Sequence, residues 1–171
     1  VFFTDGENTL DAAQRQAFER YIHNGGGFAG LHSTSNMDKT NWPWWSDLMG
    51  GAFFRNHPSG ADQFQDATVR IEDDSHPSTA GLGASFSIRE EFYTFRDNPR
   101  GRVSVLLRLD PRSVGAEGDY PLAWAHKVGA GRAYYNALGH FAETWGDPRF
   151  RGQIAGAIEW AGARTSVADA T

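Results

Sequence analysis

Residues 25–33, Gly25-Gly26-Gly27-Phe28-Ala29-Gly30-Leu31-His32-Ser33, decide the fold expected for this chain. The three glycines end a helix, since glycine readily takes the left-handed conformation that closes helices. The apolar residues 28–31 then predict a short buried strand, and His32 follows at its carboxyl end. In α/β sheets, ligands bind beyond the carboxyl ends of the strands. This stretch therefore predicts an imidazole at the edge of a ligand crevice.

The residues before this stretch predict a second strand and a helix. Residues 1–4 are mostly apolar, and residues 10–23 carry an apolar stripe at helical spacing that includes Phe18 and Ile22. Together with residues 28–31 they predict a strand-helix-strand unit, whose two strands should run parallel.

The rest of the chain predicts further strands, a hairpin and two more helices. Strands are expected over residues 64–72, 86–95 and 103–109, and a hairpin over residues 122–128 and 132–138, which flank a glycine loop. Helices are expected over residues 42–49 and 150–161, the second with Phe150, Ile154, Ile158 and Ala161 on one face. These elements predict an α/β fold, with a single domain over residues 1–163 and a flexible tail over residues 164–171.

The composition limits the class of partner. The chain has 171 residues, a net charge of −5 and 40% hydrophobic residues, which is typical of a globular domain. A nucleic-acid partner would favour a basic surface, so the acidic balance argues against one. No apolar run approaches the roughly 20 residues of a membrane span, so no membrane partner is expected. A small-molecule ligand is the expected partner, and a homo-oligomer stays open.

The chain contains no cysteine. This excludes disulfides, thiolate zinc ligands and a cysteine nucleophile, but it does not separate reducing from oxidising compartments. The first residue, Val1, falls inside a predicted strand, so earlier residues, including a signal peptide, could precede it. A cytoplasmic location is slightly favoured, and secretion stays open.

Three histidines adjoin predicted strands and could share one site. His32 ends the strand of residues 28–31, His140 follows the strand of residues 132–138, and His57 precedes a proline that favours extended backbone. Each has a structural alternative, as a partner of a loop carbonyl, a capping residue or a surface residue respectively. Their positions favour His32 and His140 as catalytic residues and His57 as a substrate-binding residue.

Glu90 and Glu91 lie inside an apolar, aromatic stretch. Alternation along a strand sends them to opposite faces, so that one can be solvated while the other points into the protein. A buried carboxylate there is either half of an ion pair, with Arg89 or Arg132, or a general base or metal ligand. Glu91 is our candidate catalytic carboxylate.

Aromatic residues near these segments could bind a sugar, because the apolar face of a pyranose packs well on an aromatic ring. Tyr93, Trp45 and Trp124 are the candidates, together with His126, which shares a strand face with Trp124. The alternative is that the tryptophans belong to the core.

His32, His57 and His140, with a carboxylate, could hold a divalent metal such as zinc. They could equally form a metal-free acid-base set, because histidine titrates near neutrality. No HExxH or comparable spacing favours the metal. Ser33 is a poor nucleophile candidate, because histidine stands at the apex where a nucleophile elbow needs serine.

Together these motifs resemble the ThuA-like family, which is named for a trehalose-utilisation protein. The matching pieces follow one another along nearly the whole chain: GGGFAGLH (25–32), GGAF (50–53), HP (57–58), DDSHP (73–77), GL (81–82), EEFY (90–93), PLAW (121–124), GRAYY (131–135) and LGH (138–140). The resemblance implies a fold like that of class I glutamine amidotransferases, a flavodoxin-like parallel sheet flanked by helices, here with an added β-hairpin. Those enzymes carry a cysteine near the place of His32, so this chain is not a cysteine amidotransferase. Family domains begin with an earlier strand-helix segment, which we expect to be absent here.

The resemblance also implies a role in disaccharide metabolism, including pathways through 3-keto sugars, and some family members are labelled glycosyl hydrolases. The hypothesis is a carbohydrate-processing hydrolase, lyase or isomerase acting on trehalose or a 3-keto-glycoside, with His32, Glu91 and His140 in acid-base chemistry that a metal could assist. The alternative is a non-catalytic sugar-binding or regulatory module. A glycoside hydrolase would need a second carboxylate opposite Glu91, for which Asp38 and Glu143 are candidates.

Overall fold

The computed structural model describes residues 1–38, 40–58 and 63–162, and these contain eight strands and four α-helices. The strands are β1 (Gly27–Leu31), β2 (Phe54–Asn56), β3 (Phe64–Ile71), β4 (Ser85–Glu91), β5 (Thr94–Phe95), β6 (Ser104–Leu109), β7 (Pro121–Val128) and β8 (Gly131–Asn136). The helices are α1 (Ala12–His23), α2 (Pro43–Leu48), α3 (Ala142–Gly146) and α4 (Pro148–Ala161). The expected tail, residues 164–171, lies outside the described residues.

Six strands form one mixed sheet in the order β1-β8-β7-β6-β3-β4. Within it β1 and β8 pair in parallel, and all other neighbours are antiparallel. The expected parallel sheet is thus confirmed for one pair only. The reason is that no α-helix lies between β3 and β8, and parallel neighbours need a long crossover that is usually helical. The predicted hairpin is present as β7 and β8, inside this sheet rather than added to it.

Two predicted strands differ in extent from the structure. In residues 1–4, only Phe2 forms a parallel bridge, to Gly30, so the expected parallel pairing is present but short. The strand predicted over residues 86–95 is divided, because β4 ends at Glu91 and β5 pairs with β2 in a separate two-stranded sheet. This division turns the chain at the point where the candidate carboxylate lies.

The main sheet is curled, since its two edge strands meet. His32 directly follows β1 at one edge, Glu91 ends β4 at the other edge, and their side chains are 3.0 Å apart. The twist between neighbouring strands accumulates across a sheet and allows it to curl. The curl therefore brings residues far apart in strand order to one place.

Helix α4 packs against the parallel edge of the sheet. Its buried residues are Phe150, Gln153, Gly156, Ala157, Trp160 and Ala161, whereas Ile158 is 48% exposed, so the predicted apolar face was wrong at that residue. At the contact, a Cβ on Gly27 would lie 2.3 Å from the Ala161 carbonyl oxygen, so only glycine fits at the start of β1. In the described residues no helix is both long and apolar enough to span a bilayer.

His76 is a buried histidine that the site does not use. Its ring lies 5.0 Å from the Trp160 ring and stacks with Tyr134, and its Nδ1 accepts the Ser78 backbone N–H. Burial, opposed by the charge of Asp73, lowers the pKa of His76 to about 4 from 6.5. Between pH 6.5 and pH 4 the His76 imidazole is protonated in the unfolded chain but neutral in the folded protein.

We therefore expect acid to destabilise the fold through His76. The contribution is fully present above pH 6.5, and lowering the pH to 4 removes roughly 2 to 3 kcal/mol of the free energy of unfolding. Replacing His76 with Phe should flatten this part of the stability profile, measured by urea unfolding at a series of pH values. The exposed His23, changed to Gln, is the control, and an equal flattening in both variants would contradict the assignment.

Candidate functional site

His32 is held with one ring nitrogen committed to the backbone. It begins a short 3₁₀ turn (His32–Asn36) after β1, with a left-handed φ of 46°, and it is buried. Its Nδ1 lies 2.8 Å from the carbonyl oxygen of Ala137, in the segment that follows β8. A carbonyl only accepts, so Nδ1 carries a proton and Nε2 faces the site. Because β1 and β8 are parallel neighbours, the segments that follow them lie side by side at the carboxyl ends of these two strands.

Glu91 is the centre of the site. One carboxylate oxygen, Oε2, lies 3.0 Å from Nε2 of His32 and 2.8 Å from Nδ1 of His140. The other, Oε1, accepts the amide of Gln63 at 2.6 Å and lies 3.5 Å from Nε2 of His57. Burial alone would raise the pKa of Glu91, but the hydrogen bonds from His32 and Gln63 and the charges of His32 and His140 outweigh it and lower the pKa to about 2. Glu91 is therefore an anion at neutral pH.

His140 completes a close group of three side chains. Its Nδ1 lies 3.2 Å from Nε2 of His32, and its side chain is 34% exposed, whereas His32 and Glu91 are buried. His140 follows Gly139, whose φ of 119° suits glycine and turns the chain after β8. The exposed imidazole is thus the member of the group that solvent and a ligand reach first.

The fully buried Glu90 holds the segment that carries His140. Its Oε1 accepts the Gly139 N–H at 3.1 Å and the Thr144 hydroxyl, and its Oε2 accepts the N–H groups of His140 at 3.2 Å and Glu91 at 3.0 Å. The expectation that one of the two glutamates could be solvated was wrong, because both side chains are buried. The sequence itself indicates no role for Glu90 beyond its position next to Glu91.

His57 and Tyr93 lie next to this group. Nδ1 of His57 donates to the carbonyl oxygen of Phe92 at 2.9 Å, which leaves Nε2 facing Glu91. The ring of Tyr93 stacks on His32 at 4.5 Å, and its hydroxyl lies 3.0 Å from His32 Nε2. Burial, with the nearby Tyr135 and the charge of Glu91, raises the pKa of Tyr93. Tyr93 is therefore a neutral hydrogen-bond donor.

The nitrogen and oxygen atoms of His32, Glu91 and His140 fit a small cation. All three lie within 4.8 Å of one another, and their separations of 2.8 to 3.2 Å approach the roughly 3.3 Å between ligand atoms around tetrahedral zinc. Metal-bound histidines usually donate their second ring N–H to a carbonyl, as His32 does to Ala137. His57 is not part of this close group, although its Nδ1 is tied to a carbonyl in the same way.

The other predicted sugar-binding residues lie away from this group. Trp45 and Trp124 are wholly buried in the core, so neither ring has a face open to a sugar, and their predicted stacking role does not fit the structure. His126 lies near the far end of β7, where its Nε2 donates to the Asp47 carbonyl oxygen at 3.1 Å. Asp38 is also buried elsewhere, paired with Arg15 at 2.7 Å, so it does not oppose Glu91.

Partly exposed aromatic rings surround the site instead. They are Phe3, Phe64 and Trp145, none of which was singled out from the sequence. For Phe64 a signal was available, because it starts a predicted strand that could pair with the strand of Glu91, and in the structure these two residues are in register. The positions of Phe3 and Trp145 depend on tertiary packing alone.

Comparison with known proteins identifies the family. Residues 1–161 match the family model ThuA, described as trehalose utilisation. A ThuA-like protein from Bacteroides uniformis is 30% identical, with a TM-score of 0.74 over 93% of this chain and 67% of that one. One from Parabacteroides merdae is 21% identical, with a TM-score of 0.72 over 97% and 70%, which shows the fold. A β-galactosidase from Bacillus circulans, 19% identical with a TM-score of 0.54 over 90% of this chain and 21% of that one, also shares the fold alone. No match is found among the curated proteins. The chain belongs to the ThuA family.

Proposed function

We propose that this protein is a carbohydrate-processing enzyme of disaccharide utilisation, a hydrolase, lyase or isomerase that acts on trehalose or a 3-keto-glycoside. The observation that carries the proposal is the convergence of His32, Glu91 and His140, whose polar atoms approach within 3.2 Å where the two edges of the curled sheet meet. Membership of the trehalose-utilisation family supports a sugar as the substrate class.

In this proposal His32, Glu91 and His140 have different roles in general acid-base catalysis. The Glu91 carboxylate lies within 3.0 Å of both His32 Nε2 and His140 Nδ1 and orients the two rings, while the exposed His140 faces the substrate. His140 accepts a proton from the carbon beside the sugar carbonyl, or from water. The Tyr93 ring stacks on His32, and its hydroxyl lies 3.0 Å from His32 Nε2, so Tyr93 keeps the His32 ring in place. This arrangement supports proton transfer without a covalent intermediate.

The same residues would hold a divalent metal such as zinc through Nε2 of His32, Nδ1 of His140 and a Glu91 oxygen. A metal bound there would polarise a sugar oxygen as a Lewis acid. The donor set of two nitrogens and one oxygen suits zinc, whose catalytic sites commonly have three protein ligands.

We expect the purified protein to bind about one zinc ion per chain, and His32→Ala to weaken that binding at least about tenfold, because it removes one of three ligands. Titration calorimetry of the metal-free protein with Zn²⁺ measures this, with His23→Ala as the control at an exposed histidine. Equal zinc binding by wild type and His32→Ala would rule out the proposed ligand set.

The experiment for the enzyme proposal compares turnover of trehalose and 3-keto-trehalose by wild type and His32→Ala. Turnover that His32→Ala abolishes supports an enzyme. The alternative, a non-catalytic sugar-binding module, is favoured by the burial of His32 and Glu91, which limits direct access to a substrate. Sugar binding that is equal in both proteins, with turnover in neither, would establish that alternative.

A further inference from the structure

The exposed aromatic surface of this protein is concentrated around the imidazole group. Among the described residues, six large hydrophobic side chains are exposed: Val1, Phe3, Tyr21, Phe64, Trp145 and Ile158. Three of these, Phe3, Phe64 and Trp145, contact the site or its neighbours, and all three are aromatic. Exposed aromatic rings beside convergent polar groups are typical of ligand sites.

These rings form two separate pairs, one at each imidazole. The Phe3 ring lies 6.4 Å from the His32 ring and 5.2 Å from Trp145, and we call Phe3 and Trp145 the first pair. The Phe64 ring lies 4.9 Å from the His140 ring and 5.1 Å from Phe141, and we call Phe64 and Phe141 the second pair.

Both pairs are held in position before any ligand arrives. The Trp145 indole donates to the Gly139 carbonyl oxygen at 2.9 Å and packs edge-on against the buried Phe150. Phe64 is the first residue of β3 and pairs with Glu91 in the sheet register. Because these rings are already fixed, little conformational entropy of the protein is lost when a ligand stacks on them.

Polar groups lie beside the second pair. The exposed His140 ring is 4.9 Å from both Phe64 and Phe141, and a cleft of about 370 Å³ beside Phe141 is lined by Arg89 and Glu143. Charged groups of both signs next to an aromatic face suit a ligand that presents many hydroxyl groups and an apolar ring face. A flat apolar ligand would leave these charged groups without partners.

We infer that the two aromatic pairs are two sugar subsites, and that the ligand is a disaccharide-sized glycoside whose rings stack on Trp145 and Phe64 with its linkage near His140. This inference rests on the proposed function, and it deepens it by assigning the residues that recognise each ring. Two platforms at two imidazoles accommodate two rings, whereas a monosaccharide engages only one.

Titration calorimetry with trehalose and glucose tests the subsites. Wild type should bind trehalose at least about tenfold more tightly than glucose, and Trp145→Ala and Phe64→Ala should each weaken trehalose binding about tenfold while changing glucose binding less. Trp44→Ala is the matched control, because Trp44 packs on Phe18 and bonds to His23 away from the site. Trp145→Phe keeps a ring against Phe150 and serves as the second variant if Trp145→Ala does not fold.

The inference is overturned if wild type shows no preference for trehalose, or if Trp145→Ala, Phe64→Ala and Trp44→Ala behave alike. It is also overturned if the two site variants change the solution mass from dimer to monomer, since the rings would then be an interface between copies. Aromatic-dependent trehalose binding without turnover would contradict the proposed enzyme and leave the subsites standing. Turnover with a KM that neither variant changes would contradict the subsites and leave the proposed enzyme standing.

Discussion

Replacing Glu91 with Gln is expected to lower kcat for the sugar substrate at least about 100-fold, the usual size of one acid-base contribution. Glu91 is the only carboxylate among the described residues that lies within 3.5 Å of His32, His57 and His140 together. The Gln side chain fills the same volume but carries no charge. The imidazoles would then lose the anionic carboxylate that orients them.

The effect on zinc should be equally large. Gln offers one weakly coordinating oxygen where Glu91 offers an anionic ligand, so zinc binding should weaken along with turnover. Steady-state kinetics and zinc titration on the same preparations measure both, with circular dichroism to confirm the fold. Glu159→Gln, at an exposed position on α4, is the control that should behave as wild type. Wild-type kcat in Glu91→Gln would refute the acid-base assignment.

The two histidines at strand ends could be predicted because the information is local. His32 follows a short apolar strand bounded by glycines, and His140 follows β8 through a glycine turn. Once such strands are recognised, residues at their carboxyl ends become candidates, because α/β sheets bind ligands beyond those ends. The parallel pairing of β1 with β8 then places both histidines at the same end of these two strands.

The arrival of Glu91 at the same place could not be derived in this way. β4 and β1 are opposite edges of the sheet, and only the curl of the whole sheet joins them. Curl and strand order come from contacts between residues far apart in sequence, which periodicity does not contain. The parallel sheet that the resemblance implied is confirmed for β1 and β8 only, because no helical crossover joins the strands from β3 to β8.

The aromatic residues show the limit of composition as a guide. Trp45 and Trp124 are the same residue type as Trp145, yet the first two are in the core and the third is 37% exposed. Nothing in their immediate sequence distinguishes them. Helix α3 and the Glu90 contacts fix the segment that exposes Trp145, and those contacts span about 50 residues of chain.

Replacing Glu90 with Ala is expected to lower the free energy of unfolding by about 3 to 5 kcal/mol, because several buried hydrogen-bond donors would lose their acceptor. Four donors point at the Glu90 carboxylate, namely the N–H groups of Gly139, His140 and Glu91 and the hydroxyl of Thr144. Without the carboxylate these donors lose their acceptor at a position where Glu90 itself is fully buried. Urea unfolding measures the change, with Glu117→Ala as an exposed control.

Glu90→Gln separates the stabilising role of this residue from its role in positioning the site. If the Gln oxygen takes the Oε2 position, it still accepts the N–H groups of Glu91 and His140, and its amide donates to the Thr144 hydroxyl. Only the Gly139 N–H then lacks an acceptor, at a cost of about 1 to 3 kcal/mol. Glu90→Gln should therefore lose stability but keep turnover and zinc binding near wild type, whereas Glu90→Ala should lose all three. A Glu90→Gln protein with wild-type stability and no turnover would contradict the four-donor account, because it would mean that the Glu90 charge itself acts in the reaction.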